Sequence, residues 1–268
     1  MNQNLKKSVV FILLSVSVIF TTFAQEGYTK YIDPTIGNVA RFLVPTYPTI
    51  HLPNQMIRMF PIKKDYISDQ LDAFPLQVVT HRSTGIMQMR VGLGEISAQS
   101  WRQKMNIDHD LEVVHPWFYS TYLIDEDIQV SFVPEVKSAV YKIDFPEGKK
   151  KNILIKGKGE MTGASIAGET FTLKEKIVYK TRGIFSETRI MYAYVYGELC
   201  DANNQSISGA ELNFEERKFS ISLPERSASN VFLKYAVSYI SHEQAKINFE
   251  NELSNTTFDE LAASGKKA

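Results

Sequence analysis

The chain predicts an all-β fold in which antiparallel sheets pack face to face, with a short helical stretch at its carboxyl end. Three observations carry that expectation. Apolar and polar residues alternate in run after run from about Phe118 to Ile240, turn-forming residues separate the runs, and no sustained 3.6-residue period occurs between Gln25 and Ile240. The 268 residues divide into a targeting segment (1–24), a sandwich (25–240) and a helical linker (241–268).

The first division rests on Lys6 and Lys7, followed by an apolar stretch from Val9 to Phe20 that only Ser15 and Ser17 interrupt. That stretch is too short to span a bilayer comfortably and reads as a secretory signal. Thr22 and Ala24 put small residues three and one positions before Gln25, the spacing a signal peptidase requires. The expected mature protein is secreted or periplasmic, soluble and without a membrane anchor.

Within the sandwich, Ile128, Val130 and Phe132 alternate with Gln129 and Ser131, giving one wet and one dry strand face. Ala139, Tyr141, Ile143 and Phe145 repeat the pattern. The turn Pro146-Glu147-Gly148 feeds a third run, Asn152 to Ile155, so the three predict an antiparallel meander. Further strands are expected at Ile190–Tyr196, Lys218–Leu223 and Val231–Ile240, bounded by Asp201-Ala202-Asn203-Asn204 and Pro224-Glu225-Arg226-Ser227. Sheets of this extent must cover their apolar faces, which makes two packed sheets the economical arrangement.

The pattern changes at Ser241. Ser241 with Gln244 forms a capping-box signature, and Ala245, Phe249 and Leu253 lie four apart on one helical stripe. Thr257 with Glu260 repeats the signature, and Phe258 and Leu261 begin a second apolar face. With no partner surface evident in the sequence, both stripes are expected to be exposed and protease-sensitive.

Charge narrows the functional classes. Thirty basic residues balance 30 acidic ones, so no broad cationic field draws nucleic acid or an anionic membrane surface. The single cysteine, Cys200, excludes a disulfide framework and reads as a packed or partly exposed thiol. Asp125-Glu126-Asp127 falls between two strand runs and reads as an acidic turn. Asp108 and Asp110 straddle His109, but the sequence offers no third ligand at metal spacing, so these residues read as a wet strand face or loop. Asp33 before Pro34 reads as an Asx-type turn.

Tyr31-Ile32-Asp33-Pro34-Thr35-Ile36-Gly37 resembles the opening signature of glycoside hydrolase family 92. Thr46-Tyr47-Pro48, Pro53 and Met56 match the spacing of that family's Thr-Phe-Pro and Pro-Phe-Gly-Met elements. Phe74 to Arg82 is similar to its hydrophobic strand ending in a Ser-His-Thr-His type motif. Ser238 to Glu250 and Phe258 to Leu261 resemble the helices that link its β-domain to its catalytic barrel.

The resemblance implies an exo-acting, inverting, calcium-dependent α-mannosidase in which a β-supersandwich packs on an (α/α)6 barrel. The barrel would carry the acid, the base and the calcium ligands. This chain is therefore expected to be the amino-terminal, active-site-shaping domain of a truncated or split enzyme, inactive alone and with no cofactor of its own. Its expected partners are a mannose-containing glycan and a separate barrel chain. The alternative is a free-standing glycan-binding protein of the cell envelope.

By the same resemblance Tyr47, His51, His81 and Arg82 are the candidate substrate-binding residues, with Trp101 as a second flat face for a sugar ring. Asn38 to Pro45 replaces a Gly/His-rich loop of many members, and Gln55 stands where the family places glycine. A loop without those glycines cannot bring bare backbone up to a sugar.

Export predicts a mature chain that begins at Gln25. Intact-mass measurement of the secreted or periplasmic protein checks it, and a mass beginning at Met1 refutes it.

Overall fold

The computed structural model describes residues 29–39, 42, 46–65, 67–79, 85–167, 170–180 and 187–268. The proposed cleavage site lies outside them. A seven-stranded sheet contains β1 (Ile62–Lys63), β2 (Gln70–Gln77), β3 (Ile86–Leu93), β4 (Met105–Asn106), β9 (Lys151–Lys156), β13 (Glu211–Glu215) and β14 (Lys218–Leu223). Its order is β1-β2-β3-β9-β14-β13, with β4 on β2. An eight-stranded sheet contains β5 (Val113–His115), β6 (Phe118–Leu123), β7 (Ile128–Pro134), β8 (Ser138–Asp144), β10 (Met161–Ala167), β11 (Thr170–Lys180), β12 (Thr188–Cys200) and β15 (Asn230–Ser238). Here the order is β10-β11-β12-β15-β8-β7-β6-β5. The two sheets form a sandwich, as the alternation predicts.

The period-two pattern aims Phe74, Met89, Ile155 and Ile221 of one sheet and Phe132, Tyr141, Leu233 and Tyr235 of the other into a shared, fully buried core. Burial of a tyrosine is tolerable only when its hydroxyl finds an acceptor. Tyr141 donates to the Pro75 carbonyl at 2.7 Å and Tyr235 to the Leu76 carbonyl at 2.6 Å, so neighbouring strands of one sheet reach across the core to β2 of the other. Burial holds both phenols well above their ordinary pKa and therefore neutral.

The expected three-strand meander is corrected. β7 and β8 pair, but β9 crosses to the other sheet and pairs with β3 and β14. Strands of both sheets turn their apolar faces toward one core, so their alternation carries no record of sheet membership. The change of sheet occurs over Pro146 to Lys150, where Gly148 supplies a left-handed φ of 67°.

Helix α1 (His242–Leu253) and helix α2 (Phe258–Gly265) lie on the outer face of the eight-stranded sheet. The expected exposure of their apolar stripes is corrected: Phe249, Leu253, Phe258 and Leu261 are buried with Val133, Val140 and Ala236. Phe249 meets Tyr196 edge-on at 5.1 Å, and Phe258 sits between Phe118 and Phe232. The sheet's alternation places Val140, Ala236 and Phe232 on the side away from the main core, which is the partner surface absent from the sequence reading.

Polar groups fix the docking. Buried Lys234 donates to the carbonyls of Leu253 at 2.9 Å and Thr256 at 3.1 Å, satisfying acceptors at the end of α1. Asn248 donates to the Val237 carbonyl at 2.9 Å, and Glu252 accepts from the backbone N–H of Lys137 at 2.9 Å and the hydroxyl of Ser138 at 2.7 Å. The Thr257–Glu260 capping box is complete. At Ser241 only half the expected box forms: its hydroxyl accepts from the Gln244 N–H, but the Gln244 amide turns to Asn248.

Phe249→Ala is expected to destabilise the fold by about 3–5 kcal/mol, the usual cost of removing a buried phenyl ring. Denaturant unfolding measures it. A loss below about 1 kcal/mol would mean that the helix does not rest on the sheet in solution.

Candidate functional site

The first described segment folds as a hydrogen-bonded unit. Asp33 Oδ1 accepts from the Thr35 backbone N–H at 2.8 Å and the Thr35 hydroxyl at 2.6 Å, the Asx-type turn its position before Pro34 predicts. Those bonds hold the Asp33 carboxyl below the ordinary carboxylate range. Gly37 adopts a φ of 81°, and a Cβ there would come within 3.1 Å of Thr46 Oγ1. The Thr46 N–H donates to the Gly37 carbonyl at 2.9 Å, joining the opening motif to Thr46-Tyr47-Pro48.

Tyr47 stacks on Phe60 with ring centroids 4.3 Å apart and planes 6° from parallel. His51 is half-buried, and its Nε2 lies 3.0 Å from the Gln55 carbonyl. Gln55, standing where glycine was expected, also accepts the Leu52 N–H through its side chain at 2.9 Å. It closes the turn with a side chain where a glycine would have left backbone bare.

His51 shares an open cleft of about 470 Å³ with Ile32, Pro34, Thr49, Arg58 and Pro116. Two residues of the opening motif thus meet a histidine and an arginine in a volume suited to a small ligand. Tyr47 neighbours the cleft in sequence but does not line it. His81 and Arg82 lie outside the described residues, as does the rest of 80–84.

The strands leading to that stretch are anchored at both ends. Buried Gln77 accepts the Arg58 N–H at 3.0 Å and donates to the Met56 carbonyl at 2.8 Å and to the Tyr239 hydroxyl at 3.0 Å. Met87 occupies the left-handed region at φ 47°, unusual for a residue with a side chain, and its N–H donates to Glu175 Oε2 at 2.7 Å. Glu175 is buried and also accepts the Gly159 N–H at 2.7 Å. Desolvation raises its pKa while these backbone bonds oppose the rise.

Arg58 was not singled out by the sequence reading, although a lone cation in the apolar run Met56 to Phe60 is a recognisable signal. Trp101 is buried away from the His51 cleft, over the outer face of the seven-stranded sheet. Cys200 is a packed thiol whose pKa burial pushes up to about 11, incompatible with a thiolate nucleophile at neutral pH.

Asp125-Glu126-Asp127 is the acidic turn its setting predicts. Asp127 has φ 56° and accepts the Tyr122 hydroxyl at 2.6 Å, while Asp125 accepts from Asn106 at 2.7 Å. Burial, then the charge of Asp125, holds the Glu126 carboxyl above the ordinary range. No sequence signal distinguished Glu126 from its neighbours.

Asp108 and His109 acquire a third potential metal ligand that the sequence could not supply. Asp69 lies 39 and 40 positions away in the chain, yet ligating atoms of Asp69, Asp108 and His109 fall within 4.8 Å of one another. His109 opens a 3-10 turn, His109–Leu111, that Asp108 caps, and Asp69 reaches it from the residue before β2. His109 Nδ1 is 2.7 Å from Asp69 Oδ1, a hydrogen bond that raises the histidine pKa and lowers that of the aspartate.

The fold and cleft together define a large two-sheet sandwich bearing a ligand-sized site at its amino-terminal motif. The family model described as the glycosyl hydrolase family 92 N-terminal domain matches residues 31–238, so the chain belongs to that family. Comparison with curated protein sequences gave no match.

Among solved structures, the chain is similar to a family 92 inverting mannosidase from Bacteroides thetaiotaomicron. The TM-score is 0.69 at 18% identity, over 90% of this chain and 35% of that one. It is also similar to a family 92 α-mannosidase from the same organism, with TM-score 0.71 and 20% identity over 89% of this chain and 37% of that one. The chain therefore spans about a third of the length of these structures. At such identity the likeness establishes the fold. Among the described residues, no helix is long and apolar enough to cross a membrane.

The His109–Asp69 bond predicts a pH dependence. A raised histidine pKa contributes stability that is lost as pH rises through the folded-state value; a lowered aspartate pKa contributes stability that is lost as pH falls through its own. The pair therefore acts between those two limits. In Asp69→Asn the His109 imidazole should titrate lower, toward its ordinary 6.5, as read by NMR. An unchanged midpoint would show that the bond does not form in solution.

Proposed function

We propose that this sandwich is the amino-terminal, active-site-shaping domain of an exo-acting, inverting α-mannosidase and is not catalytic alone. The observation that carries the reading is the cleft in which Ile32 and Pro34 of the opening motif meet His51 and Arg58. Its residues offer hydrogen-bonding and apolar contacts to a sugar, and among the described residues no carboxylate lines it.

Inverting hydrolysis requires two carboxyl groups held roughly 6.5–9.5 Å apart, one as acid and one as base. The strongest acidic cluster argues against a local pair, because Asp125 and Asp127 are committed to Asn106 and Tyr122. We therefore assign the acid, the base and the calcium ligands to a catalytic (α/α)6 barrel, joined through the 241–268 helices or supplied as a separate chain. Calcium would polarise and orient the sugar there, and residues of the His51 cleft would bind and orient the mannose-containing glycan from the sandwich side. His81 and Arg82 are assigned to the same surface. The protein is proposed to act in the periplasm or outside the cell.

The alternative, a free-standing envelope glycan-binding domain, makes a different prediction for the same assay. Purified protein is incubated with an aryl α-mannoside and α-1,2-mannobiose, with and without calcium. No turnover alone, with turnover restored by a separately expressed barrel, is the expected result. Turnover that disappears when a carboxylate of this chain becomes its amide would overturn the reading. Sugar binding with no restored turnover would favour the alternative.

A further inference from the structure

Beyond the mannosidase reading, and independent of it, the outer face of the seven-stranded sheet carries a second site. Leu212, Phe214, Phe219 and Ile221 turn toward the core, so strand alternation sends Asn213 and Glu215 of β13 and Lys218 and Ser220 of β14 to the opposite face. The register pairs them directly: Asn213 stands opposite Ser220, and Glu215 opposite Lys218. The loop between β3 and β4 folds back over this face and brings Ser97 and Trp101 to the same place. These side chains line a pocket of about 380 Å³, within the range of small-ligand sites. It shares no lining residue with the His51 cleft.

The loop that walls the pocket is fixed by its own hydrogen bonds. The hydroxyls of Ser97 and Ser100 accept each other's backbone N–H, at 3.4 and 3.1 Å. The Gln99 carbonyl accepts the N–H groups of Arg102 and Gln103, both at 2.8 Å, and Arg90 of β3 donates to the Gln103 carbonyl. Lys218 leans over the Trp101 ring, 5.7 Å from its centroid. A wall built this way has little freedom left to lose when a ligand binds.

A solvated strand face accounts for Asn213 and Glu215, which are exposed. It does not account for Ser220 and Trp101. These are only 8% and 9% exposed, yet among the described residues neither the Ser220 hydroxyl nor the Trp101 indole N–H has a hydrogen-bond partner. Neither atom is sealed inside the protein, so each opens onto the space beside it. Buried polar groups normally have partners, and these two are arranged for one that enters from outside.

The chemistry of the lining selects the ligand. Trp101, Ser220 and the Asn213 amide supply donors, while Glu215, Ser220 and Asn213 supply acceptors, all beside an apolar ring. Glu215 and Lys218 contribute one charge of each sign, so the pocket favours neither an anion nor a cation. A pyranose is uncharged, carries hydroxyls that both donate and accept, and presents an apolar ring face to an aromatic wall. We propose that this pocket binds a neutral pyranose unit of a glycan, with Trp101 against the ring and Asn213, Glu215 and Ser220 on its hydroxyls, and so holds a carbohydrate chain at a point separate from the His51 cleft.

NMR titration of the whole protein tests it, because each indole N–H gives its own nitrogen–proton cross-peak and the chain has two tryptophans. The Trp101 peak is assigned by its loss in W101F or by its persistence in W117F. The probes are α-1,2-mannobiose and maltose, with glycerol as a polyol that lacks a ring. At least one disaccharide should shift the Trp101 peak saturably with a Kd of about 0.1–10 mM, and glycerol should not. The affinity should hold between about 0.05 and 0.5 M salt, since the ligand carries no charge. N213A/E215A, at exposed positions, should weaken binding at least about tenfold, whereas H51A should leave it unchanged. S220A should weaken it about threefold without lowering the melting temperature, because the hydroxyl it removes has no partner in the free protein. No saturable shift with either sugar, an equal shift with glycerol, or binding indifferent to N213A/E215A and S220A would overturn the site. Affinity that falls steeply with salt would overturn the neutral-ligand assignment. None of these readings depends on mannosidase turnover, so the two proposals fail separately.

Discussion

Two hydroxyl groups hold the architecture in register. Tyr141 and Tyr235 sit on adjacent strands of the eight-stranded sheet, and each crosses the core to a consecutive carbonyl of β2 in the facing sheet. Apolar packing between sheets is non-directional and would tolerate sliding, whereas a buried phenol left without its acceptor costs about 1–3 kcal/mol. The pair therefore converts a greasy contact into a specified one. β2 then carries that register outward, because Gln77 at its end ties Arg58, Met56 and Tyr239 together at the edge of the His51 cleft.

The same logic recurs wherever a polar group is buried. Lys234 is the least expected residue to find inside a sheet face, yet the carbonyls at the end of α1 give its ammonium the acceptors that burial demands. Glu175 holds backbone N–H groups from two separate segments, one of them at Met87, whose left-handed backbone persists because the surrounding contacts over-determine it. Each is a small polar network that fixes where an element lies, while the apolar contacts supply most of the driving force.

The amino-terminal cleft depends on turns: the Asx turn at Asp33, the glycine at 37 and the Gln55-closed turn bring sequentially separate motif residues to one place.

The sequence by itself determined the class of the fold, most of the strand positions after residue 127, the position of both helices, the turn at Asp33 and the acidic turn at Asp125–Asp127. These are properties of local periodicity and local hydrogen bonding, which a short stretch of residues dictates without reference to the rest. It also made His51 legible as a candidate through the spacing of a family motif. Only the tertiary structure decided that β9 changes sheets, that the helical stripes are covered by the outer sheet face, that Asp69 joins His109, and that Arg58 rather than Tyr47 lines the cleft. Each of these is a pairing between distant residues, and alternation at period two tells a strand which face to bury but not which neighbour to bury it against.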